Sequence, residues 1–185
     1  MKRYFHEELE DVRSNLMLMG EKSVEITNSA MKAMLEGDKV LAEKIIKSDD
    51  VINDLETEID DEVARYINLR APVARDLRLL FVAVKASHDL ERVGDEASSV
   101  AKRTIKILTE GPIGSSLGQV PKMGELAVSM LKEALQSFIQ EDENIAYSII
   151  NRDKEVDSLN RENLSQFVEL MKQDPSTVAT STEMV

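Results

Sequence analysis

The stretch MGEKSVEITNSAMKAMLEGDKVLAEKII, residues 19–46, returns in altered form as MGELAVSMLKEALQSFIQEDENIAYSII, residues 123–150. The two stretches align without a gap at an offset of 104 residues, which places Met19-Gly20 on Met123-Gly124. Apolar positions, acids and turn residues all keep this one register. Such an internal duplication predicts two copies of one structural unit within the chain.

Each copy is predicted to be an antiparallel bundle of long helices, and the fold class is therefore all-α. Glycine and proline number only 7 and 4, while strong helix formers are abundant. Gly37-Asp38 provides a helix end followed by an N-cap. Apolar residues recur every three or four positions in three segments, residues 3–36, 38–69 and 73–108. We therefore expect a first three-helix bundle over residues 1–110.

The second copy is predicted to be an incomplete bundle. Residues 111–121, GPIGSSLGQVP, are rich in glycine and proline and are predicted to be a linker. Residues 122–185 then repeat two helices and end in the tail DPSTVATSTEMV, which has poor helix propensity. No third helix follows, so an apolar face would be left uncovered. We expect a partner chain, an exchanged helix or a truncated gene to account for it.

The charge and composition exclude several classes of function. The net charge is −12, which argues against nucleic acid as a partner. The chain has no cysteine, which excludes disulfides, thiolate catalysis and Cys-ligated zinc. The first residues, MKRYFHEELEDVRS, lack the apolar stretch of a signal peptide, and no apolar run is long enough to span a membrane. We expect a cytoplasmic protein.

Acidic and amide side chains recur four residues apart at related positions of the repeat. Glu91 and Asp95 lie on the third predicted helix, and the second helices carry the equivalent pairs Asp49/Asn53 and Asp153/Asp157. Residues four apart share one face of a helix. If the second and third helices are antiparallel neighbours, the first two pairs lie at similar heights. Oxygen ligands without cysteine favour Mg, Mn or Fe, so these six residues are the predicted metal ligands.

A plainer interpretation of the same acids remains open. They could be solvated helix faces on which Arg92 pairs with its acidic neighbours. His88, one turn before Arg92, is interpreted as a packed and hydrogen-bonded residue rather than as a ligand. Asn53 contributes no charge to the predicted site.

No motif of an enzyme is found in the sequence. The Glu-x-x-His pattern of di-iron bundles, a Gly-rich phosphate loop and a nucleophile elbow are all absent. We therefore expect a protein that is not an enzyme. The alternatives are a carboxylate metal-dependent enzyme, an iron-binding helical bundle, and a passive scaffold whose acids only keep the surface soluble.

PVARDLR (residues 72–78) together with DLERVGDEA (residues 89–97) resembles the third helix of the PhoU family of phosphate-uptake regulators. The duplication and the acidic pairs are similar as well. The resemblance implies tandem three-helix bundles whose acidic motifs hold metal ions, here iron, manganese, zinc or magnesium. The chain departs from the family pattern in two places. Asn53 replaces an acid, and the last helix is missing.

The same resemblance implies a function. A member of this family would be a negative regulator of phosphate uptake and of phosphate-starvation signalling. It would act as an adaptor between the ATPase of a phosphate ABC transporter and a sensor histidine kinase. We expect it to reach the membrane through these partners only and to form a homo-oligomer, in the simplest case a homodimer.

Overall fold

The computed structural model describes residues 2–48, 50–111 and 117–185, and every regular element in these ranges is a helix. The all-α prediction is confirmed. The helices are α1 (Lys2–Glu36), α2 (Lys39–Lys47), α3 (Asp50–Arg70), α4 (Ala74–Glu110), α5 (Val120–Gln140), α6 (Glu143–Gln173) and α7 (Val178–Glu183), and the 3-10 turn Pro175–Thr177 precedes α7.

Helices α1 to α4 form the first unit, whose core lies between α1, α3 and α4. The largest side chains of this core include Met19, Ile59 and Leu80, which are fully buried. These positions recur at helical spacing on each element, so each helix turns one apolar stripe inward. The core is aliphatic, as expected from a chain that contains no tryptophan.

The prediction of a single helix over residues 38–69 is wrong, because the structure has two helices there, α2 and α3. Ser48 follows the last residue of α2, and its hydroxyl donates a hydrogen bond to the Ile45 carbonyl oxygen, 2.9 Å away. A serine that bonds the backbone in this way competes with helix continuation. Helix α3 begins at Asp50, and Asp49 lies outside the described residues.

The turn between the first two helices of each unit repeats in backbone detail. Gly37 and Glu141 occupy equivalent positions, and both have left-handed φ angles, 64° and 52°. Asp38 and Asp142 follow as N-caps whose carboxylates accept backbone N–H bonds of the next helix. The left-handed conformation favours glycine, so the repeat has kept this conformation at residue 141 although the side chain there has changed.

The second unit consists of the α5–α6 hairpin and lacks the covering that α4 gives to the first. Ala42 of α2 is fully buried, whereas its repeat partner Ala146 is exposed. Ile46 is half-buried, whereas its partner Ile150 is 62% exposed. Within the described chain, no helix plays the part of α4 for this hairpin, and its apolar face is therefore open.

The C-terminal tail is ordered into helix, contrary to its predicted poor propensity. Helix α7 packs against α4 and α6. The Arg103 guanidinium donates a hydrogen bond to the Glu183 carbonyl oxygen at 3.2 Å, and the Glu183 carboxylate forms an ion pair with Lys106. Contacts with other helices therefore overcome the weak local preference of this segment.

Asn163 fastens this tail to the start of the second unit. Its side chain is 1% exposed. The amide oxygen accepts the Gln119 backbone N–H at 2.9 Å, and the amide nitrogen donates to the Met184 carbonyl oxygen at 3.2 Å. One buried amide thus joins α6 to the residue before α5 and to the residue after α7, with its polar atoms paired as burial requires.

A matched pair of substitutions tests whether the second unit is open. We expect Ala42→Glu to lower the free energy of unfolding by about 3 kcal/mol or more, because it buries an unpaired charge. The equivalent Ala146→Glu should change it by less than about 0.5 kcal/mol, since that side chain would remain in water. Urea unfolding followed by circular dichroism measures both values.

The two variants add the same charge, so each is the control for the other. An equally large loss of stability in Ala146→Glu would contradict the open face and show that it is covered in solution. Repeating the measurement over a range of protein concentrations would then reveal whether a second copy of the chain supplies the cover.

Candidate functional site

Helices α3 and α4 run antiparallel with a register that is fixed by two contacts. A Cβ placed on Gly94 would lie 2.9 Å from the Cδ1 atom of Ile52, so the backbones approach closely there. One to two turns away, His88 Nδ1 lies 3.3 Å from Glu56 Oε1. Residue 52 is therefore level with residue 94, and Asn53 on α3 lies at the predicted height relative to Glu91 and Asp95 on α4.

The described members of the first predicted ligand group lie on the outside of this α3–α4 contact. Asp95 and Asn53 are exposed, and Glu91 is half-buried and takes part in an interaction within the chain. Ser98, one turn beyond Asp95, is buried, and its hydroxyl has no hydrogen-bond partner among the described residues. Asp49, the remaining predicted ligand, lies outside the described residues.

The second predicted ligand group lies on α6 alone. Asp153 and Asp157 are both exposed, and no third helix of their own unit faces them in the described chain. Their neighbour Arg152 reaches across to α5, where it pairs with Glu133 and donates to the Ser129 hydroxyl at 3.2 Å. Hydrogen bonds from Arg152 and Ser129 lower the pKa of Glu133, which holds it as a carboxylate.

No three histidine, aspartate or glutamate side chains come together as a metal centre within residues 2–48, 50–111 and 117–185. Because Asp49 is not among these residues, the first site is described without one of its predicted members. Metal binding by the six residues stays a prediction. What the structure provides is oxygen donors at one height on two neighbouring helices.

His88 is not the packed residue that was expected. Its side chain is 66% exposed. Within the part of the chain that the structure describes, its hydrogen-bond partner is the Glu56 carboxylate. Helical spacing alone suggested a position beside the apolar stripe of α4. The position in fact lies at the solvent edge of the α3–α4 contact.

Sequence reasoning missed how the two units contact one another. A Cβ on Gly20 of α1 would overlap the side chain of Leu135 on α5. A Cβ on Gly124 of α5 would likewise overlap Met31 of α1. Gly20 and Gly124 are repeat partners, and so are Met31 and Leu135. The two contacts are therefore the same contact made twice, and the repeated Met-Gly-Glu was the signal that could have revealed it.

Next to this crossing lies a groove that is lined by residues of α1, α4 and α5 and by Val156 of α6. Its volume is about 530 Å³, and its lining is mostly apolar, with Met31, Val93, Met123 and Val156 among the lining residues. Arg92 of α4 also lines it. Apolar grooves of this size are common binding places for small molecules and helices.

Two helical units that repeat one sequence pattern and pack through equivalent glycines define a duplicated helical-bundle protein. The sequence matches the PhoU domain over residues 16–104 and 120–185. The chain belongs to the PhoU family, and the resemblance predicted from PVARDLR and ERVGD is confirmed.

Relatives and solved structures agree over nearly the whole chain. A phosphate-specific transport system accessory protein PhoU homolog of Pseudomonas aeruginosa is 38% identical, with 97% of this chain and 74% of that protein aligned. The homolog of Clostridium acetobutylicum is 35% identical over 100% of this chain and 84% of that protein.

Two crystal structures share the fold. PhoU from Pseudomonas aeruginosa superimposes with a TM-score of 0.92 at 38% identity, covering 97% of this chain and 86% of that one. The phosphate transport system regulatory protein PhoU from Streptococcus pneumoniae gives 0.83 at 27% identity, covering 97% and 87%. These relatives are named accessory or regulatory proteins, in agreement with the prediction that the chain is not an enzyme.

A double-mutant cycle tests the glycine crossing. Gly20→Ala should lower the free energy of unfolding by about 1–2 kcal/mol, because the clash with Leu135 outweighs the better helix propensity of alanine. In a Leu135→Ala background the same change should be neutral or stabilising, since the obstructing side chain is gone. Urea unfolding of the four proteins measures the coupling. Additive effects would contradict the close approach of α1 and α5.

Proposed function

We propose that the chain is an accessory regulator of a phosphate transport system, which restrains phosphate uptake and phosphate-starvation signalling. The observation that carries the proposal is the match to PhoU proteins in both sequence and structure over 97% of the chain. Phosphate transport stands in the names of those relatives. The chain's own structure supports regulation by binding, because it offers exposed helical surfaces and a groove.

The regulator acts, in this proposal, as a cytoplasmic adaptor between the ATPase of a phosphate ABC transporter and a sensor histidine kinase. The duplication supports two partners, because it gives the chain two related but unlike units. The first is closed by α4, and the second presents the exposed apolar side chains of Tyr147 and Ile150. No helix in the described ranges is long and apolar enough to cross a membrane.

The proposal includes a metal ion that is bound by the first unit. Glu91 and Asp95 would hold it from α4, and Asn53 would do so from α3. Asp49, which lies outside the described residues, is the fourth ligand of the proposal. Asp153 and Asp157 would hold a second ion with ligands from another chain or helix. Carboxylate and amide oxygens fit magnesium, manganese or iron, and zinc is also compatible with carboxylates. The buried hydroxyl of Ser98 is a further unpaired oxygen on α4.

The metal proposal is tested by elemental analysis of protein purified without chelator. We expect about one ion of iron, manganese, zinc or magnesium per chain from the first unit. This ion should be lost in the Glu91→Gln/Asp95→Asn variant, because two of its carboxylates are removed. The matched control is Asp89→Asn/Glu96→Gln, which makes the same charge change on the groove side of α4.

If both variants retained the metal, the metal would be bound elsewhere in the chain. If both lost it, binding would depend on the overall charge and not on Glu91 and Asp95. Absence of metal from the parent protein would remove the ion from the proposal. The regulatory role would then not depend on a bound ion, and the next experiment tests that role separately.

The regulatory function is tested in bacteria whose own PhoU gene has been deleted. Expression of this chain should restore repression of a phosphate-starvation reporter in phosphate-rich medium, because a bound adaptor holds the kinase inactive. A matched strain carrying the destabilised Ala42→Glu protein should remain derepressed. A chain that is expressed and folded, yet leaves the reporter fully active, would contradict the proposed function.

A further inference from the structure

Large apolar side chains are exposed where α3 turns into α4. Leu69 is 61% exposed, Val73 is 68% exposed and Phe81 is 59% exposed. Leu69 lies in the last turn of α3, Val73 is the N-cap of α4, and Phe81 lies in the second turn of α4. Single exposed apolar residues are ordinary, but several at one end of a bundle mark a contact surface.

Unpaired cations accompany these apolar residues. Arg75, Arg78 and Lys85 are exposed and recur along α4 at helical spacing, so they share one face of it. They take part in none of the ion pairs formed within the described residues. We call the set Leu69, Val73, Arg75, Arg78, Phe81 and Lys85 the basic end.

The sign of the charge here is opposite to that of the rest of the molecule. Residues 64–85 contain five arginine and lysine residues and one acid, Asp76, in a chain of net charge −12. Glu8, an acid of α1, accepts two hydrogen bonds from Arg70, at 2.9 and 3.0 Å. Acids farther away than about 8 Å are screened at physiological salt, so an approaching surface meets mainly the basic end.

The chemistry fits an anionic surface that also accepts apolar groups. Arginines beside a phenylalanine and aliphatic side chains are typical of proteins that lie at the interface of a bilayer. The basic end extends from the turn of the α3–α4 hairpin along the first three turns of α4. A bilayer surface requires no pocket of matching shape to receive it. A second copy is disfavoured, because contact between a basic end and an acidic flank is head-to-tail and leaves one basic end unused unless the copies close into a ring.

We propose that the basic end binds directly to the surface of an anionic lipid bilayer, with Leu69, Val73 and Phe81 entering the interface and Arg75, Arg78 and Lys85 meeting lipid phosphates. This goes beyond the proposed adaptor role, in which the membrane is reached only through partner proteins. The contact orients the chain, since the acidic parts of the bundle are repelled by the same surface.

The experiment is flotation of the purified chain with vesicles of equimolar phosphatidylglycerol and phosphatidylcholine, compared with vesicles of phosphatidylcholine alone. We expect binding to the anionic vesicles only, weakened by added salt because charge attraction carries much of it. Arg75→Glu/Arg78→Glu should weaken binding by about 25-fold or more, at roughly fivefold for each cation removed. Leu69→Ser/Phe81→Ser should weaken it as well.

Two control variants match these changes elsewhere. Lys154→Glu/Arg161→Glu makes the same change of charge on the exposed face of α6, and Ile139→Ser/Ile150→Ser removes exposed apolar groups from the second unit. Both should bind the anionic vesicles as the parent does. Circular dichroism verifies that all four variants are folded.

Absence of binding to the anionic vesicles would overturn the proposal, and so would equal binding to phosphatidylcholine. If the α6 control variant weakened vesicle binding equally, the effect would be one of net charge, and the proposal would also be overturned. Retention on cell membranes, but not on pure lipid, would assign the basic end to a protein partner. None of these results bears on repression of the phosphate-starvation reporter, which tests the adaptor role.

Discussion

The arrangement of the whole chain depends on the close approach of α1 and α5. At Gly20 and Gly124 a side chain from the opposite helix occupies the space that a Cβ would fill. Because the two contacts are repeat partners of each other, the two units face one another around an approximate twofold axis. Dispersion forces fall off steeply with distance, so backbones that can approach this closely gain contacts along several turns.

The α1–α5 crossing is important for the stability of the second unit, because that unit has little core of its own. The hairpin buries few large side chains, Leu159 and Phe167 among them, while Ile139 and Ile150 remain exposed. Its packing comes instead from α1, from the Asn163 bonds and from α7. A helical hairpin with one open apolar face is weakly stable by itself. The first unit therefore acts as the template on which the second is ordered.

Much of this could be predicted from the sequence because a repeat multiplies weak signals. The turn at Gly37-Asp38 predicted the one at residues 141–142. The assumption that the second and third predicted helices are antiparallel neighbours gave the height of Asn53 relative to Glu91 and Asp95 correctly. The break after Ser48 could not be predicted, because the apolar pattern continues through it. Helix α7 could not be predicted either, since contacts from Arg103, Lys106 and Asn163 stabilise it, and these are distant in sequence.

The exposure of the acids also decides what a cation could do. Asp95 and Asn53 face water, where the repulsion between neighbouring carboxylates is weakened by solvent and salt. Such a group can stay empty without unfolding the bundle, unlike a structural zinc site whose ligands are otherwise buried and unpaired. The amide of Asn53 reduces the repulsion further. A cation bound on this face would therefore change the charge that a partner meets, and its effect would be on binding rather than on folding.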